Sequence, residues 1–178
     1  MTAIKISIEN KTFTQTEAPT IANFKLTLNS GEFVCLVGSS GCGKTTLLNI
    51  LSGLDNDYQG EVSLEKLQTS PKIGYVFQNP RLLPWRTVRE NIELANPIDN
   101  VDDLLDAMNL SDIQQQYPQH LSLGMSRRVS IIRAFSVNPD ILLMDEPFVS
   151  LDPPTARQVR ELLINLWQQQ VIVIEMNL

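Results

Sequence analysis

Gly38-Ser39-Ser40-Gly41-Cys42-Gly43-Lys44-Thr45 has the residue types and spacing G-x-x-x-x-G-K-[ST] of a phosphate-binding loop. Its glycines let the main chain wrap a phosphate chain with N–H groups, and a helix beginning there adds a favourable dipole. Lys44 suits neutralisation of the β- and γ-phosphates, the Thr45 hydroxyl suits Mg²⁺, and Thr46 follows in the same turn. A second cluster is "ILLMDEP", in which an apolar run ends in adjacent carboxylates, Asp145 and Glu146. Asp145 at a strand end can reach the metal, while Glu146 can polarise an attacking water. A kinase of small molecules needs no such second carboxylate. The loop therefore implies a nucleoside triphosphate with its metal, and the acidic pair implies attack by water.

These groups need a strand before the loop and a helix after it. "EFVCLVG" is a continuous apolar run that reads as a strand buried on both faces, and it feeds straight into the loop. The helix that follows carries Leu47, Leu48, Ile50, Leu51 and Leu54, with Gly53 as its cap. Upstream, "IKISIE" and "FKLTL" alternate as half-buried strands, and "KIGYVF" is a further strand. From Thr87 the pattern turns helical in "TVRENIELA", "NVDDLLDAMNL" and "MSRRVSIIRAFSV", the last stopped by Asn138-Pro139. A buried strand "ILLMDE", a helix over 153–169 with Asp152 as N-cap, and a last strand "VIVI" complete the pass. The expected class is α/β: a P-loop core sheet with flanking helices, N-terminal antiparallel strands and a helical insert. One domain over 1–178 is expected, with core at about 1–86 and 138–178 and the insert at about 87–137.

Composition narrows the partners. A chain of 178 residues, 43% of them hydrophobic, supports one well-buried core. A net charge of -6 argues against nucleic acid as partner. The N-terminus lacks the pattern of a secretory signal, and no apolar run approaches a membrane span. Cys35 in an apolar run and Cys42 inside the loop are unlike a disulfide framework and fit a reducing cytosol. A cytoplasmic location is expected.

Between the two chemical clusters stands "HLSLGMSRRVSIIRAF", and with it the chain resembles the ATP-binding subunits of ABC transporters. The likeness rests on ordered motifs: the loop at Gly38, "VFQNP" with Gln78, the signature-like Leu121 to Met125, "ILLMDEP", and "SLD" ending at Asp152. The resemblance implies a dimer that clamps two ATP molecules, each between one subunit's P-loop and the other's signature motif, represented here by Ser122 and Gly124. Gln78 would touch metal and water and sense a membrane partner, and Asp152 would lie in the loop that communicates across the dimer. Phe13 would stack on adenine, unless it is a core phenylalanine. The run "NPRLLPWRTVRENI" is most similar to importer ATPases of the nitrate, sulfonate and taurine group. That likeness would make the Trp85 region the dock for a permease subunit at the cytoplasmic membrane face; the alternative is that Trp85 covers the core of the insert.

Three departures qualify the resemblance. Leu123 replaces the first glycine of Leu-Ser-Gly-Gly and brings bulk and β-carbon restrictions where the family has neither. Met176 stands where the family has a histidine that contacts the γ-phosphate, and a thioether donates nothing. The chain's single histidine, His120, precedes the signature helix and reads as a surface or helix-start residue. The family's further strands and helix do not follow Leu178, as expected of a natural short form, a shortened chain or a degenerate product. Such a chain could bind ATP yet hydrolyse it poorly, and a hydrolysis-poor regulatory module is the alternative to a transport ATPase. An ABC ATPase acting on DNA or ribosomes is a third reading, disfavoured by the acidic charge.

Overall fold

Two sheets position everything that follows. The computed structural model describes residues 2–14, 18–63, 71–94, 101–149, 151–168 and 172–177. Strands β1 (Thr2–Lys11), β2 (Ile21–Asn29) and β4 (Gln59–Ser63) form an antiparallel sheet in the order β2-β1-β4. Strands β3 (Phe33–Val37), β5 (Ile73–Val76), β6 (Ile141–Asp145) and β7 (Ile172–Asn177) form a parallel sheet in the order β3-β7-β6-β5. Parallel neighbours need crossovers, and helices α1 (Lys44–Leu51), α2 (Val88–Glu93), α3 (Val101–Ala107), α4 (Leu123–Phe135) and α5 (Pro153–Gln168) lie in those connections. The expected α/β class, the antiparallel N-terminal strands and the helices after Thr87 are present.

β6 shows why the sheet holds. All five of its residues are buried, and successive side chains of a strand leave on opposite faces. Ile141 and Leu143 join Ile4, Ile6 and Ile8 of β1 and Leu47, Leu48, Ile50 and Leu51 of α1 in one apolar cluster. Leu142 and Met144 join Val88 and Ile92 of α2, Leu104 and Leu105 of α3, and Val129, Ile131 and Ile132 of α4 in the other. Burying such a side chain contributes about 1.5–3 kcal/mol before entropy is set against it, so the acidic end of β6 is held rigidly from both faces.

Local signals fix the helix ends. Thr87 and Glu90 form a reciprocal capping box on α2. Asp152 caps α5, accepting from the Thr155 amide at 3.2 Å and the Thr155 hydroxyl at 2.7 Å. Gly53 follows the last turn of α1 at φ 73, the left-handed residue expected there.

Three expectations need correction. β3 is not buried on both faces: it pairs only with β7 among the described residues, and Phe33, Cys35 and Val37 share an exposed face while Val34 and Leu36 pack inward. Its apolar run reflects a sheet edge with no described element over that face. Leu54 lies beyond α1, which ends at Leu51 because Gly53 breaks it, and Leu54 is 60% exposed. The last strand continues past Ile174 to Asn177, since its ladder with β3 and β6 runs on. Ser150 of "SLD", Gln169 and Val171 lie outside the described residues.

Candidate functional site

The loop at Gly38 sits between the C-terminal end of β3 and the first turn of α1, where the strand-loop-helix pattern puts it. Gly41 and Gly43 hold φ values of 80 and 95, a region where a β-carbon costs energy. A β-carbon on Gly43 would also stand 2.9 Å from the Thr20 carbonyl oxygen, so glycine is required there twice over. Lys44 arches back over its own loop and donates to the carbonyls of Gly38 at 2.5 Å and Ser39 at 3.0 Å. That posture places a cation over the curl of main chain.

One turn of α1 and the end of β6 meet next to this cation. The Thr45 hydroxyl donates to Asp145 Oδ2 at 2.9 Å. Asp145 is 4% exposed, and burial pushes its carboxyl above the ordinary value of 3.8. The Thr45 hydrogen bond, Lys44 and Arg127 oppose that shift, and the neighbouring Glu146 charge reinforces it. Burial likewise raises the Tyr75 phenol, with help from Asp145; its hydroxyl donates to Asn49 Oδ1 at 3.1 Å on α1.

Gln78, just past β5, donates from Nε2 to Glu146 Oε2 at 2.9 Å. Glu146 itself has φ 52, the left-handed region that a non-glycine residue rarely occupies. Phe13, Ser40, Lys44, Thr46, Gln78 and Glu146, with Thr45 and Asp145, line one cavity of about 340 Å³. Phe13 is 43% exposed there, so it is not a core phenylalanine, and the Lys11 ammonium sits 4.7 Å from its ring centre. Of the loop, Cys42 faces a neighbouring cavity of about 290 Å³ instead, lined by β2 and β3.

The signature residues lie apart from this cavity. Ser122 is the N-cap of α4, its hydroxyl accepting from the Met125 amide at 3.2 Å, and Gly124 is in the first turn. Leu123 adopts ordinary helical backbone, so the expected β-carbon restriction costs nothing; its bulk remains, 57% exposed. His120 ends a short 3₁₀ turn next to Gln119, Nε2 to Nε2 3.4 Å; it is exposed and does not line the cavity. Trp85 is 69% exposed in the turn before α2 and does not cover the insert's core. Met176 on β7 pairs in register with Leu36 of β3 and with Asp145 of β6.

Sequence reasoning missed Arg127. It stands beside Arg128 and reads as solvated helix charge, yet it is 6% exposed and donates to the main-chain carbonyls of Glu146 and Gln78. Nothing in its spacing could have found it.

The residues present fit a magnesium nucleotide. Among the described residues no group of three or more His, Cys, Asp or Glu could hold a metal alone. One hydroxyl and one carboxylate 2.9 Å apart would offer oxygen ligands of the kind that suits a Mg²⁺ carried by a nucleotide.

The profile of the ABC transporter family matches residues 21–149. The aliphatic sulfonates import ATP-binding protein SsuB of Bacillus subtilis is 41% identical over 179 residues, covering 94% of this chain and 70% of that protein. The nitrate import ATP-binding protein NrtD of Synechococcus elongatus is 39% identical over 175 residues, covering 89% of this chain and 64% of that protein. Among solved structures, the dimeric post-hydrolysis ATP-binding cassette MJ0796, bound to ADP and Pi, matches with a TM-score of 0.86 at 30% identity, over 98% of this chain and 87% of its own. The chain belongs to the ABC transporter family and has the fold of its ATP-binding cassettes.

Proposed function

We propose that this cassette hydrolyses ATP to drive import of a small solute of the sulfonate, taurine or nitrate kind. It would work as a dimer with ATP at the interface, bound to permease subunits at the cytoplasmic face of a membrane. The printed roles of SsuB and NrtD in sulfonate and nitrate import support the importer class. Among the described residues no helix is long and apolar enough to cross a membrane. The exposed Trp85 beside the glutamine loop is the surface we assign to a permease.

The single observation that carries hydrolysis is the Gln78–Glu146 bond at 2.9 Å on the wall of the cavity that also holds Lys44, Thr45 and Asp145. Glu146 is the carboxylate free to take a proton from an attacking water, and the Gln78 amide orients it. Lys44 supplies positive charge along the β- and γ-phosphates. Thr45 and Asp145 would hold the metal, which when bound neutralises phosphate charge. Ser122, at the N-terminus of α4, would offer its hydroxyl and the helix dipole to the nucleotide of a facing copy.

A second reading, an ATP-binding regulatory module with little turnover, is favoured by Met176, a residue type without a side-chain N–H, in register with Asp145 near the end of β7. Steady-state hydrolysis of Mg-ATP over a range of chain concentrations, beside Glu146→Gln and a separate binding assay, separates the two. A rate that rises faster than linearly with concentration and vanishes in Glu146→Gln supports the ATPase. ATP binding with turnover no higher than that variant supports the module.

A further inference from the structure

Arg127 is one of the few buried charged side chains among the described residues, and its bonding is unusual. Nη1 donates to the Glu146 carbonyl at 2.7 Å and Nη2 to the Gln78 carbonyl at 3.1 Å. Its Nε is buried with no hydrogen-bond partner, and it forms no ion pair with a carboxylate among the described residues. Burying a guanidinium with hydrogen bonds to two neutral carbonyls only, one N–H unsatisfied and no contact ion pair, costs stability that the longer-range attraction to Asp145 offsets in part. Something other than fold stability is served.

The two acceptors identify what. They are the main-chain oxygens of the two residues whose side chains meet at 2.9 Å in the cavity. Glu146 holds a left-handed φ of 52, a conformation that persists only where the surroundings over-determine it. One planar fork reaching both loops fixes their separation in a way that a point charge cannot. The brace also has a second anchor on the same helix: Arg133 donates to the carbonyls of Pro80 at 2.8 Å and Arg81 at 3.0 Å. Three carbonyls of the glutamine loop are thus held from α4, whose N-terminus is Ser122.

We propose that Arg127 is a positioning residue for hydrolysis: its guanidinium braces Gln78 and Glu146 through their main chains and ties that pair to the helix bearing Ser122. The inference rests on the hydrolytic reading above. Movement of the signature helix against a second copy is transmitted through the fork to the carboxylate that activates water.

The test uses Arg127→Met and Arg127→Lys in the full chain, with two readouts. In hydrogen exchange without nucleotide, Arg127→Met is expected to speed exchange at 76–83 and 145–149 by at least ~10-fold while α1 and α5 keep their protection. In Mg-ATP kinetics it is expected to lower kcat by ~10- to 100-fold with KM and ATP affinity little changed, and Arg127→Lys is expected to fall between. Combined with Gln78→Ala, the Arg127 penalty is expected to shrink, because both act on Glu146. Unchanged exchange in the two loops, loosening spread evenly over the molecule, or a kcat penalty undiminished by Gln78→Ala overturns the proposal. If Arg127→Met does not fold, Arg127→Lys is judged by the same criteria. A parent chain without turnover defeats the hydrolytic reading alone, and the exchange data then decide whether Arg127 braces the loops.

Discussion

The Thr45 hydroxyl and the Asp145 carboxylate, 100 positions apart in sequence, meet at 2.9 Å where the first turn of α1 faces the end of β6. Each is delivered by an element packed into the same apolar cluster, α1 through Leu47 and Leu48 and β6 through Ile141 and Leu143. The two residues proposed above as metal ligands are therefore placed by core packing, and nucleotide need not bring them together.

That placement stores an electrostatic cost. Burial raises the Asp145 carboxyl above its ordinary 3.8, so ionising it works against the folded chain. A group whose folded pKa is raised carries no penalty below the unfolded value and an increasing one as pH climbs through the folded value. Asp145→Asn is expected to raise the thermal midpoint of the nucleotide-free chain at neutral pH, with the gain fading as the medium is acidified towards about pH 4. The same variant is expected to weaken Mg-ATP binding by ~10-fold or more, since a neutral amide is a poor Mg²⁺ ligand. Scanning calorimetry over a pH series and a binding titration check both halves; a lower midpoint at neutral pH would show that the carboxylate is stabilising.

In Lys11 the fold favours the charged form instead. It is 3% exposed, and burial, the largest influence, pushes its pKa down, but Asp55 and Asp57 together outweigh it and hold the pKa above 10.5. Its ammonium donates to Asp55 at 3.0 Å and to the Asp57 carbonyl at 2.6 Å. The resulting stability is present below 10.5 and is lost as pH rises through the raised folded value. Asp55 is 20% and Asp57 96% exposed, so the carboxylates left behind stay hydrated, and Lys11→Met is expected to cost about 1–2 kcal/mol in urea unfolding near neutral pH, the worth of its charged hydrogen bonds. The gap from the parent should narrow at strongly alkaline pH. A cost below about 0.5 kcal/mol would show the pair to be worth no more than a surface ion pair.

The contrast between these residues explains what the sequence made legible. Gly41, Gly43, Lys44, Thr45, Asp145 and Glu146 were readable because their chemistry needs fixed types at fixed spacing beside strand and helix signals. Phe33, Cys35 and Val37 misled because an apolar run looks the same whether its second face is covered or open. Lys11 and Arg127 carry charges that sequence logic assigns to solvent, and only tertiary packing shows them buried.

Leu123 gives a prediction in which stability and function part. It begins α4 with helical backbone and an apolar side chain 57% exposed next to Ser122. Leu123→Gly is expected to lower stability by about 0.5–1 kcal/mol, because glycine gains backbone freedom in the unfolded chain. It is also expected to strengthen ATP-dependent dimerisation by removing bulk from the facing surface. Sedimentation velocity with Mg-ATP in a Glu146→Gln background reads closure directly; an unchanged dimer fraction would clear Leu123 of any role there.

Trp85 is the exposed apolar residue beside the glutamine loop, and its side chain packs into neither core cluster. Trp85→Ala is therefore expected to leave the unfolding free energy within about 0.5 kcal/mol of the parent. A hot-spot aromatic at an interface costs about 2 kcal/mol or more when truncated, so co-purification with a cognate permease is expected to fall by ~30-fold in affinity. Undiminished co-purification would take Trp85 out of the docking surface.

Met176 lies in register between Leu36 of β3 and Asp145 of β6, near the end of β7, at the position where the resemblance to the family implies a histidine just past the strand. A thioether accepts weakly and donates no hydrogen bond, whereas a neutral imidazole keeps one N–H and can meet a phosphate oxygen. A single donor aimed at developing charge is commonly worth ~100-fold in kcat. Met176→His is expected to raise kcat by at least ~10-fold while ATP affinity changes little, because the gain is made in the transition state. The neutral ring still donates above its ordinary pKa of about 6.5, so the gain should persist from about pH 6 to pH 8. Single-turnover hydrolysis across that range is the measurement. A gain confined to acidic pH would mean that the imidazolium charge, and not the N–H, makes the difference. No gain at any pH would mean that Gln78 and Glu146, held as they are at 2.9 Å, already set the rate.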